Sequence, residues 1–126
     1  VVTAEDFLAN VRRVSSDPDW PPSGRLHLSD LRNVSADVSI DVGTIKKAVD
    51  IYVQKPERIA DLKVAIVASE VFAKAAIFER LMSLYRLSVI VFNSLDTACT
   101  WLGIDADEAE RTLQEMGAQS RAGPNA

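Results

Sequence analysis

The nucleophilic and titratable side chains of this sequence are sparse, and their spacing limits the chemistry they can support. His27 is the only histidine and Cys99 the only cysteine among 126 residues. A Cys/His metal cluster is excluded by that count, and so is an internal disulfide. Cys99 falls on an apolar helical stripe, where a free cysteine reads as a small buried hydrophobe. The acidic pairs Glu5-Asp6 and Glu108-Glu110 stand at helix starts, where the macrodipole accounts for them. The five glycines are scattered, so no phosphate-cradling loop forms. No nucleophile can be matched with a base, and the expectation is a protein that is not an enzyme and carries no cofactor. The polar residues best placed to bind something follow three apolar runs: Asp30, Arg32 and Asn33, then Ser69, then Asn93. Arg32 beside helix N-termini could hold an anion, although Asp30 and Glu70 add opposing charge, and the alternative is ordinary caps and turn residues. A receiver domain would need an acidic cluster plus a lysine after its last strand, where this chain has Asn93 and Ser94.

The elements that would position these residues alternate along the chain. Thr3 with Asp6 forms a capping signature, and Phe7, Leu8, Val11 and Val14 follow at helical spacing. Residues 15–24 carry three prolines and a glycine around Trp20, which forbids continued helix and predicts a loop with an anchoring aromatic. In 25–30, Leu26 and Leu28 alternate with His27 and Ser29, a strand signal. A polar turn over 31–38 leads to a helix starting at Ser39 or Asp41, with Val42, Ile45, Val49, Tyr52 and Val53 on one side and Pro56 as the stop. The runs 63–68 and 87–92 are continuous and apolar, as strands buried on both faces of a parallel sheet are. Between them a helix capped by Ser69 is expected to reach about Tyr85. Ser94 then caps a helix carrying Leu95, Ala98, Cys99 and Leu102 that ends at Gly103. Asp105 caps a last helix that directs Ala109, Leu113 and Met116 inward. These readings predict one α/β domain over residues 1–116, a mostly parallel sheet with crossover helices, and a flexible tail over 117–126. Three parallel strands make a thin sheet, so either strands before Val1 are absent from this sequence or a second subunit covers an edge.

Charge and hydropathy narrow the partners. A net charge of −4 and a pI near 4.9 have the wrong sign for neutralising phosphates, so no nucleic acid is expected. No apolar run approaches the roughly 20 residues of a membrane span, and no secretory leader pattern opens the chain. A cytoplasmic setting without membrane insertion is the expectation. The helix after Ser69 has two apolar stripes, one of Val71, Ala75, Phe78, Met82 and Tyr85, the other of Ala73, Ile77, Leu81 and Leu84. Together they exceed the ~100° needed to cover one sheet face. The surplus predicts either cover by the final helix or a homodimer through Ile77, Leu81 and Leu84.

Residues 2–7 (VTAEDF), 28–34 (LSDLRNV), 64–68 (VAIVA) and 91–103 (VFNSLDTACTWLG) resemble the STAS-like (SpoIIAA-like) family, named for sulfate transporters and anti-sigma-factor antagonists, and look most like an uncharacterised bacterial branch of it. The resemblance spans about residues 1–103. It implies a SpoIIAA-like fold in which a hairpin precedes the first helix, and a regulatory or protein-interaction module acting on a protein partner. Regulatory members carry a phosphorylated serine after an Asp-Leu-Ser strand end, and counting on from Asp30-Leu31 puts Ser39 in that register. Val38 stands where the motif has aspartate, with Asp37 one residue early. Related folds that enclose apolar ligands imply the alternative, a small-molecule or lipid-binding domain with a cavity near Phe72, Phe78 and Trp101.

Overall fold

A computed structural model describes residues 3–21, 24–35 and 40–122. Its element order is α1 (Ala4–Ser16), β1 (Leu26–Leu31), α2 (Val42–Tyr52), α3 (Pro56–Ile59), β2 (Lys63–Ala68), α4 (Phe72–Met82), β3 (Ser88–Phe92), α5 (Leu95–Leu102) and α6 (Ala106–Ala122). Among the described residues the three strands form one parallel sheet in the order β1-β2-β3. The central β2 lies beside His27–Leu31 at Val64–Ala68 and beside Val89–Phe92 at Val64–Val67.

Strand parity distributes the core between two layers. Val64, Ile66 and Ala68 face one side with Val89 and Val91, packed under Val49 of α2, Val71 just before α4, and Ala75 and Met82 of α4. Ala65 and Val67 face the other side, under Leu95, Ala98, Cys99 and Leu102 of α5. Leu26 and Leu28 also pack on this second side, whereas Leu31 belongs with the first. The alternation in β1 therefore separates two apolar faces, with His27 and Ser29 turned inward. Helix α1 packs on α2 through Leu8, Val11 and Ala48.

The helix starts follow local hydrogen bonding. Thr3 and Asp6 form a reciprocal capping box, and Asp41, Ser94 and Asp105 accept from backbone N–H groups three residues on. Gly103 closes α5 in the left-handed region at φ 75°. Three expectations are corrected. Pro56 does not only end α2 but opens the short α3, at a position where a missing N–H costs nothing. Helix α4 begins at Phe72 with Val71 as a cap that makes no side-chain bond, so Ser69 does not cap it; only the Ser69 carbonyl accepts, from the Phe72 N–H. Helix α6 continues to Ala122, beyond the boundary drawn after Met116, and Met116 is exposed rather than inward. Backbone hydrogen bonds along a helix do not require an apolar stripe, so periodicity alone set that end too early.

Candidate functional site

Helices α1, α2 and α4 meet the first face of the sheet without filling the space above it. A partly open cavity of about 470 Å³ remains, bounded below by His27, Ser29, Leu31, Val64, Ile66 and Val89 and above by side chains of the three helices. Trp20 closes one side. Its ring lies 5.5 Å from Tyr52, and Tyr52 lies 6.1 Å edge-on from Phe78. The lining is overwhelmingly aliphatic and aromatic, with Asp6, Asn10 and Lys74 among its polar members.

Inside this apolar wall a polar chain runs along β1. The Trp20 indole N–H donates to His27 Nδ1 at 3.2 Å, and His27 Nε2 lies 3.0 Å from Ser29 Oγ. An indole nitrogen can only donate, so Nδ1 must be the bare nitrogen of the ring and Nε2 must carry the proton. Nε2–H therefore donates to Ser29, and the serine keeps its own hydroxyl hydrogen. Burial holds His27 below its ordinary pKa, favouring this neutral form. The pair is thus oriented against nucleophilic use, because His27 presents no lone pair to Ser29. Burial also pushes the Tyr52 hydroxyl up to about 12, so it too stays protonated.

Trp20 is held from outside by Arg58. That guanidinium donates to the carbonyls of Ser15, Asp17 and Trp20 and sits 5.8 Å from the indole centroid. Arg25 in turn donates to the carbonyls of Arg58, at 2.8 Å, and Ala60. Two arginines thereby tie the loop after α1 to the turn after α3. Nothing in the spacing of Arg58 signals this role, since its partners are backbone oxygens about forty positions away.

The strand-end residues are only partly brought together. Asp30 binds Arg32 through both carboxylate oxygens at 2.8 and 2.9 Å, and Glu110 of α6 takes the same guanidinium at 2.8 Å. The Arg32 hydrogen bonds hold the Asp30 carboxyl below its usual range. A smaller recess of about 260 Å³ beside them is lined by Arg32, Ser94, Asp96, Asp107 and Glu110, three acids to one base. Arg32 is thus engaged with two carboxylates in a negative setting, poorly arranged for an anion. Asn33, Ser69 and Asn93 are exposed and do not line this recess. Ser39 lies outside the described residues.

Of the interface candidates, Leu84 is 80% exposed, while Ile77 is half-buried and Leu81 packs on the core. The final helix does not cover α4: α6 packs against α5 on the opposite side of the sheet. Trp101 also lies there, against Phe92 and under the Lys63 ammonium, and Phe72 is exposed. Of the three aromatics expected around a cavity, only Phe78 lines it. Among the described residues there is no group of three or more His, Cys, Asp or Glu that could hold a metal, and no helix is long and apolar enough to cross a membrane.

No protein-family model matches the chain, and no match is found among curated proteins or solved structures.

Proposed function

We propose that this chain is a non-catalytic STAS-like binding module that takes a small apolar molecule into the cavity beneath Trp20. The observation that carries the reading is the cavity itself. Its volume of about 470 Å³ falls within the roughly 300–1,000 Å³ of small-molecule sites, which share its mostly apolar lining with a few polar groups. Water finds few partners against walls of Val, Ile, Leu and Phe, and an apolar guest gains by displacing it.

The test uses a solvatochromic apolar dye, N-phenyl-1-naphthylamine, with a variant that fills the space. Ala75 is buried in the cavity wall, and Ala75→Leu should abolish dye binding while the far-UV spectrum and cooperative unfolding persist. A wild-type chain that leaves the dye dark, or a variant that binds it unchanged, contradicts the reading.

A second reading, a homodimer or a protein partner docked on α4 and the turn after it, draws support from Leu84, Tyr85 and Ile77. Leu84 and Tyr85 are exposed and Ile77 is half-buried, and α6 is on the far side of the sheet. Sedimentation at tens of micromolar should then show a dimer that Leu84→Glu dissociates, and a monomer under those conditions removes the homodimer.

A further inference from the structure

Within the binding reading above, we infer that the cavity selects neutral apolar molecules bearing a hydrogen-bond acceptor, such as a ring ketone, and that Ser29 supplies the donor. The direction of the polar chain carries this. Trp20 gives its proton to His27 Nδ1, and His27 gives its own to Ser29 Oγ. Each group in the series donates toward the next, and the series ends on a serine in the cavity wall. Ser29 accepts from the histidine and still holds a hydroxyl hydrogen, with no further hydrogen bond of its side chain to any described residue. The first two members are fixed by chemistry, since the indole cannot accept and a neutral imidazole has one proton. A guest carbonyl meets a donor at Ser29, whereas a pure hydrocarbon leaves that hydrogen without a partner.

The experiment compares 1-tetralone with tetralin, molecules of one shape that differ by a carbonyl in place of a methylene. Affinities are read from titrations of the Ala75 and Val89 methyl resonances in wild type, Ser29→Ala and Ser29→Thr. The ratio of tetralin to tetralone dissociation constants should fall about tenfold in Ser29→Ala and recover in Ser29→Thr. Taking the ratio within each variant cancels the cost of dehydrating the ketone and any loss of fold common to both probes. An equal ratio in all three proteins, with both probes binding, overturns the acceptor selection and leaves the cavity reading intact. No methyl shift with either probe overturns both.

Discussion

The proton between His27 and Ser29 is placed by Trp20, and this makes the site sensitive to acid. Protonated His27 would turn its Nδ1 into a donor facing the indole N–H, on top of the desolvation that already lowers its pKa from 6.5. The other titratable side chains lining the cavity are Asp6, Tyr52 and Lys74. Because the folded pKa lies below the unfolded one, the unfolded chain binds the proton more readily, and stability rises with pH between the two values. His27's contribution is complete above about pH 6.5 and is lost as pH falls from there through the folded-state value. Urea midpoints between about pH 7.5 and 5 should thus fall further for wild type than for His27→Gln; parallel curves would show that His27 plays no part. Arg58 belongs to the same account. Replacing it by Met keeps the aliphatic stem but removes the donors to three carbonyls, which should cost about 2 kcal/mol in chemical denaturation and shift Trp20 emission to the red. Unchanged emission would mean that the loop holds Trp20 without the guanidinium. Neither role can be read along the chain. His27 is visible as a lone histidine on a strand, but its tautomer depends on a tryptophan seven positions back, and Arg58 resembles any arginine in a polar turn.

Elements were legible where one physical signal dominated. The run Lys63–Ala68 reads as a two-face-buried strand because every position but the first is buried, and Thr3, Asp41, Ser94 and Asp105 announce helix starts through side-chain caps. Legibility failed at α4, whose start has no side-chain cap, so that Ser69 was the only visible signal and the wrong one. It failed again at the end of α6, where backbone bonding outlasts the apolar pattern. Gly103 permits a clean measure of a local term. At φ 75° with nothing within 4 Å of an added Cβ, Gly103→Ala meets no clash and should cost only the left-handed backbone, about 1 kcal/mol by denaturant unfolding, with Gly103→Asn costing less. A loss of several kcal/mol for the alanine would mean that packing around the turn, not φ, sets the requirement. Lys63 provides a second case: its ammonium reaches the Trp101 carbonyl at 2.9 Å and the indole at 4.5 Å, so Lys63→Met should loosen the end of α5 by about 1 kcal/mol. No change in unfolding free energy would assign the contact to the surface alone.

Taken together, the two sheet faces differ in the size of the side chains that fill them. Under α5, small residues such as Ala65, Ala98 and Cys99 are fully buried and let helix and strand approach closely. Under α2 and α4 the helices stand over larger side chains and leave the cavity. The parallel sheet and its crossovers could be inferred from order and apolar runs alone. The cavity could not: the resemblance implies one near Phe72, Phe78 and Trp101, of which only Phe78 lines it, and Phe7, Trp20, His27, Tyr52 and Val89 carry no signal of the space between them, which exists only once all are placed. The direct measurement is an isotope-filtered NOE experiment on the methyl-labelled chain with 1-tetralone added. Cross-peaks from the probe to the methyls of Ala75, Val64 and Val89, with none to Ala65 or Ala98 on the opposite face, are the predicted result. Cross-peaks confined to surface methyls such as those of Leu84, or none at all, would contradict it.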